Sequence, residues 1–166
     1  MYPGENKPDC IIVHHSAYAP QIPQAKLINE WHKARGFPLS RLGQYVGYHY
    51  IIEPNGLIVQ TRDESEGGAH TIGKNWSSIG ICMAGDFSTE APTSAQIYSL
   101  TSLMLSILER WPDIKRDQIF PHRRFSQTEC YGAHLSDEWA ADLIKNVDLA
   151  TAHPAQGPDD AALDIQ

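Results

Sequence analysis

Apolar residues in this chain fall into short blocks, some alternating or continuous as strands require and others spaced as helices require. The first block, CIIV at 10–13, is rich in β-branched residues and lies between Pro8-Asp9 and the polar run His14, His15, Ser16, which predicts a buried strand. Pro20 and Pro23 mark residues 18–23 as a loop. From about Gln24 to Arg35, Leu27, Ile28 and Trp31 share one helical face, with Pro23 suited to the first helical position and Gly36 to the stop. Residues 45–52 (YVGYHYII) read as a strand, and Asn55-Gly56 ahead of 57–61 (LIVQT) predicts a hairpin. SIGICMA at 78–84 predicts another buried strand ending at Gly85-Asp86. The clearest helix covers 94–111: Thr93 as N-cap and Gln96 form a capping box. Ile97, Leu100, Leu103, Met104, Ile107, Leu108 and Trp111 make its apolar stripe, and Pro112 ends it. A last helix is expected after Ser136, turning Trp139, Leu143, Ile144 and Val147 inward.

Strands interleaved with helices indicate an α/β domain, with a central, mostly parallel β-sheet flanked by α-helices. From Thr151 the run TAHPAQGPDDAALDIQ lacks bulk and periodicity, so residues 1–150 are expected to form the single domain and 151–166 an acidic, disordered tail.

Composition narrows the picture. A chain of 166 residues suits one domain, which at that size buries about 70% of its unfolded surface. Apolar content of 42% with 20% charged residues is ordinary for a globular protein. A formal net charge of −7 argues against nucleic acid as a partner, because electrostatic binding to phosphate needs a basic face. Cys10, Cys82 and Cys130 are odd in number and widely spaced, which argues against a disulfide framework; Cys10 and Cys82 read as inert, buried small hydrophobes. The start MYPGENKPDC has no basic segment followed by an apolar one, so no signal peptide is expected. No apolar run approaches the ~20 residues that span a bilayer. The expectation is a monomer without membrane insertion, cytoplasmic as synthesised.

Eight histidines are many for an acidic domain of this size. Four positions are informative: His14 at a strand end, His49 within a strand, His70 in a Gly-rich loop and His122 before a polar loop. Singly, each is more often a hydrogen-bonded structural histidine than a ligand. In combination they suggest more. His122 and Cys130 share the irregular segment FPHRRFSQTECYG, which could fold back to point both at one ion, and His14 would complete a His₂Cys set. Catalytic zinc sites typically use three protein ligands and keep the fourth position for water. A thiolate and two neutral imidazoles leave the ion net positive, able to acidify that water and polarise a carbonyl. No short-range pair such as HExxH is present, so spacing alone leaves a zinc hydrolase as one option beside structural histidines. Arg62 and Asp63 read as a candidate ion pair with no assigned chemistry.

The segments IIVHHSA (11–17), WHKARGF (31–37), VGYHYIIEPNG (46–56), TRDESEGGAHTIGKNWSSIGICMAGDF (61–87) and HRRFSQTEC (122–130), taken in order, resemble the N-acetylmuramoyl-L-alanine amidase family of phage endolysins and peptidoglycan recognition proteins. The resemblance covers roughly residues 9–145. It implies a single domain with zinc at the base of a surface groove, one Zn²⁺ per chain, and ligands His14, His122 and Cys130. It places the catalytic tyrosine at Tyr48. A second catalytic position falls on Thr128, where some phage members carry lysine and the enzymatic recognition proteins carry threonine. His70 and Asn75 match residues that line the substrate groove, Trp76 is a candidate for its wall, and His15 falls on the other face of the strand from His14. The implied activity is zinc-dependent hydrolysis of the amide between N-acetylmuramic acid and L-alanine in peptidoglycan, by a phage or prophage endolysin that reaches the wall after release. Two rivals share the resemblance: a recognition module that binds muropeptides without cutting, and a cytosolic amidase recycling them. A third is a structural zinc site in a protein of other function. In the family, loss of catalysis goes with loss of the cysteine ligand, and Cys130 is present.

Overall fold

A computed structural model describes residues 5–148; the tail expected at 151–166 lies outside the described residues. In chain order the elements are β1 (Cys10–His15), α1 (Ala25–Ala34), β2 (Tyr50–Ile52), β3 (Ile58–Gln60), β4 (Ser78–Met83), α2 (Ser94–Arg110), β5 (Ile119–Pro121), a 3₁₀ turn (His122–Arg124) and the short α3 (Trp139–Asp142). They build a five-stranded sheet in the order β3-β2-β4-β1-β5. All pairings are parallel except the β2–β3 hairpin. The mostly parallel α/β sheet expected from the sequence is therefore present.

Strands β1 and β4 are buried along their whole length and pair in register from Cys10↔Ser78 to His15↔Met83. Burial on both faces is why their sequences are continuous apolar runs rather than alternating ones. Ile11, Val13, Tyr50, Ile52, Ile79, Ile81 and Met83 face α2, where Leu100, Met104 and Ile107 are fully buried. Burying a side chain of that size contributes about 1.5–3 kcal/mol. On the opposite face Ile51 and Cys82 pack with Val46 and with Ile28 of α1. His14 stands opposite Cys82 and so projects on the α1 face, whereas His15 projects on the α2 face.

The capping box of α2 is complete: Thr93 Oγ1 accepts the Gln96 N–H at 3.1 Å, and Gln96 Oε1 accepts the Thr93 N–H at 3.0 Å. Gln96 Nε2 also donates to the Ala84 carbonyl at 2.7 Å, tying the start of α2 to the end of β4. At the other end of α2, Glu64 accepts from Arg110 Nη2 (2.6 Å), Trp111 Nε1 (2.6 Å) and Tyr50 Oη (2.7 Å).

Several expectations need adjustment. Helix α1 begins at Ala25, so Pro23 precedes the cap instead of opening the helix; Glu53 accepts the Gln24 and Ala25 N–H groups. Its inward face is Ile28 and His32, while Trp31 is 38% exposed and stacks edge-on against Tyr18. Residues 45–49 are not a strand: the Tyr45 N–H is taken by Asn29 Oδ1 and the Gly47 N–H by His32 Nδ1, and only His49 donates its N–H to β4, at the Gly80 carbonyl. The hairpin closes through a five-residue connection, with Gly56 at φ +88° accepting the turn that Asn55-Gly56 announced. Strand β5, with only three residues and a proline, was not anticipated. Among the described residues no helix is long and apolar enough to cross a membrane.

Candidate metal centre

The carboxyl end of β1 delivers His14, and β5, which runs parallel beside it, delivers His122 as the first residue of the turn that follows. The chain then returns. Arg123 donates its backbone N–H to the Cys130 carbonyl at 2.9 Å, and its guanidinium reaches the carbonyls of Gly132 (2.9 Å) and Leu135. This arginine folds the irregular segment back, so that the ligand atoms of His14, His122 and Cys130 all lie within 4.8 Å of one another. The expected trio is thus brought together.

The chemistry of the three groups fits a cation. Burial and then neighbouring imidazoles hold His14 well below the usual histidine range, and burial lowers His122, so both keep a lone pair at neutral pH. Burial pushes the Cys130 thiol up to about 12. A bound cation reverses that preference by stabilising the thiolate, and the His15 N–H, 3.3 Å from Cys130 Sγ, supports the same charge.

Tyr48 places its ring centroid 4.9 Å from that of His14. Burial, with Cys82 and Cys130 nearby, raises its phenol well above the usual range, so it remains a proton donor. Thr128 is exposed, and its Oγ1 accepts the Cys130 N–H at 3.2 Å. Loop residue His70 lies against His14, with Nδ1 2.9 Å from His14 Nε2. Asn75 Oδ1 accepts the N–H groups of both His70 and Thr71 at 2.8 Å, so it shapes the loop. Trp76 packs its indole on Gly67, where a Cβ would come within 2.5 Å of the ring.

His15 and His49 are structural. His15 Nδ1 accepts the Phe87 N–H at 3.1 Å. His49 Nδ1 accepts the Gly80 N–H at 3.0 Å and its Nε2 donates to the Glu66 carbonyl at 2.8 Å, which leaves neither nitrogen for an ion. The buried Arg62 donates to the carbonyls of Val46 and Pro38, while Asp63 accepts from Ser65. His32 was not foreseen as part of this neighbourhood. Its ring lies 5.4 Å from Tyr48, its Nδ1 accepts the Gly47 N–H at 2.9 Å, and burial lowers it to about 4. With Ser16, Ile28, Trp31, Arg35 and Tyr48 it lines a recess of about 130 Å³ beside the centre.

Fold and site together define a single α/β domain carrying a candidate His₂Cys metal centre at the carboxyl ends of parallel strands. The chain belongs to the N-acetylmuramoyl-L-alanine amidase family, whose model matches residues 4–133. The endolysin of Escherichia phage T7 is 37% identical over 109 residues, 62% of this chain and 68% of the relative. Peptidoglycan-recognition protein SC2 of Drosophila melanogaster is 28% identical over 128 residues, 76% of this chain and 70% of the relative. Among solved structures, the N-acetylmuramoyl-L-alanine amidase LysC from Clostridium intestinale URNW superposes with a TM-score of 0.71 at 27% identity, covering 89% of this chain and 95% of its own. The enzyme class is that of the N-acetylmuramoyl-L-alanine amidases.

Proposed function

We propose that this protein hydrolyses the amide bond between N-acetylmuramic acid and L-alanine of peptidoglycan as a Zn²⁺-dependent endolysin of phage or prophage origin, acting on the wall after release. The observation that carries the reading is the convergence of two imidazoles and a thiol within 4.8 Å, with the Tyr48 phenol ring beside them. His14, His122 and Cys130 would hold one Zn²⁺ ion. Bound there, the ion supplies Lewis acidity, polarising the scissile carbonyl and bringing a water toward ionisation at neutral pH.

The remaining chemistry belongs to the chain. Tyr48 keeps its proton and donates a hydrogen bond to the oxyanion that develops on the former carbonyl oxygen. Thr128 uses a lone pair to hold the Cys130 N–H, and its hydroxyl proton is directed to the same oxyanion as a weaker, neutral donor. The loop carrying His70, Asn75 and Trp76 forms one wall of the muropeptide cleft, with Asn75 setting its shape. The phage assignment is supported by the endolysin relatives.

The test is zinc content together with digestion of purified sacculi, with and without chelator. One zinc per chain and chelator-sensitive release of L-alanine-terminated peptides are expected. Full activity in metal-free protein would overturn the reading. Retention of bound muropeptide without any cleavage would instead identify a recognition module.

A further inference from the structure

His70 makes more contacts than a cleft wall requires. Its Nδ1 lies 2.9 Å from His14 Nε2 and 3.0 Å from Thr71 Oγ1, and its Nε2 lies 3.4 Å from Ser78 Oγ. The ring fills a slot between two glycines: a Cβ on Gly68 would come within 2.5 Å of it, and one on Gly80 within 2.6 Å. Asn75 pins the backbone of the same residue. Such a seat leaves the imidazole little freedom to turn.

The partners also fix which atoms donate. The Ser78 hydroxyl gives its proton to the Lys74 carbonyl at 2.7 Å, and a carbonyl can only accept. Toward His70 the Ser78 oxygen is therefore an acceptor, so His70 Nε2 carries the hydrogen. A neutral imidazole with its hydrogen on Nε2 has its lone pair on Nδ1. That lone pair faces His14 Nε2, which must then be the donor. Thr71 agrees with this direction, since its hydroxyl can donate to the same Nδ1. With the hydrogen of His14 on Nε2, its lone pair is left on Nδ1.

We propose that His70, polarised by Ser78, is a positioning residue that fixes the tautomer of His14 and so offers Nδ1 of His14 as the metal-binding nitrogen. The proposal rests on the zinc reading of the site given above. An untethered histidine divides between two tautomers, only one of which presents a lone pair on the required nitrogen; a second hydrogen bond removes the wrong one and orients the ring.

Two measurements on the full chain test it. The first is long-range ¹H–¹⁵N NMR of the imidazoles in chelator-stripped protein, which reports each tautomer directly. The second is Zn²⁺ affinity by competition with a chromophoric chelator, for the unmodified protein, for His70→Phe, which fills the slot without hydrogen bonds, and for Ser78→Ala. The expected result is hydrogen on Nε2 of both His14 and His70, with Zn²⁺ affinity about 10–100-fold weaker in His70→Phe. Ser78→Ala should shift tautomer populations toward the other form and weaken Zn²⁺ in the same direction by less. Hydrogen on Nδ1 of His14, or unchanged affinity in both variants, overturns the proposal. If His70→Phe does not fold, the NMR assignment and Ser78→Ala decide it. Failure of the unmodified protein to bind Zn²⁺ would instead defeat the metal reading, while the tautomer measurement still decides whether His70 orders His14.

Discussion

Glu53 holds the start of α1 from the end of β2: its Oε2 accepts the Gln24 N–H at 2.6 Å and its Oε1 accepts the Ala25 N–H at 2.8 Å. The carboxylate is 2% exposed and comes from the residue just after β2. It does the work of a local N-cap, satisfying two helix donors that have no partner inside the helix, and its charge opposes the positive end of the helix. Glu53→Ala would leave those donors buried and unmet, at a cost of about 1–3 kcal/mol. Glu53→Gln keeps one acceptor and should lose less. Urea melts of both variants check the order.

Removing the thiol separates a catalytic from a structural centre. Cys130→Ser is expected to abolish amidase activity and most zinc retention while leaving the far-UV circular dichroism in place. Cys130 belongs to the same buried cluster as β1, β4 and α2, but serine has nearly its volume, so that packing should be kept. Global unfolding of Cys130→Ser would mean that the ion is a structural staple.

Tyr48→Phe removes one donor and little volume. An oxyanion donor of this kind typically supplies a factor of about 10²–10³ in kcat. We expect a loss of that order on purified sacculi, with KM nearly unchanged. Thr128→Val should lose far less. Unchanged turnover in Thr128→Val would remove that hydroxyl from the reaction.

Glu64 gives the fold a pH dependence of its own. Burial raises its carboxyl, but the bonds from Arg110, Tyr50 and Trp111 more than offset this, so the net shift is downward. A carboxylate lowered in the folded state binds fewer protons there than in the unfolded chain. Its stabilisation is therefore full above the unfolded pKa of about 4.3 and is lost as pH falls through the lower folded value. Denaturant midpoints should drop on acidification below about pH 4.3, and Glu64→Gln should flatten that part of the curve. A parallel acid dependence in the variant would show that other carboxylates carry the effect.

Local signals were the readable ones. The capping box at Thr93 and Gln96 and the runs of β1 and β4 are written within a few residues, and the structure follows them. Strand β5 was not readable, because Ile119–Pro121 is a strand only by virtue of pairing with β1, more than a hundred residues earlier. A shorter separation, 15 and 16 residues, hid the partners of Gly47 and Tyr45, whose N–H groups bond side chains of α1. The outward turn of Trp31 depends on Tyr18, and the inward turn of His32 depends on Gly47. At the candidate centre, composition and spacing left His14, His122 and Cys130 as one option among several. Only the family pattern singled them out, and the geometry places their ligand atoms together. The contact between His70 and His14 has no short-range signature at all, apart from the small residues at Gly68 and Gly80 that make room for the ring.

The sheet order places the first strand between the last two, β4 and β5. During synthesis β1 emerges before its neighbours: it has no partner until residues 78–83 arrive, and its other side stays open until 119–121 follow. The loop bearing Cys130 comes later still. A ribosome-bound chain thus carries His14 ahead of the other two proposed ligands, and cannot assemble the trio before Cys130 has cleared the exit tunnel. Assembly of the trio is in this sense timed by topology: a product truncated before residue 130 lacks the thiol and leaves the trio incomplete.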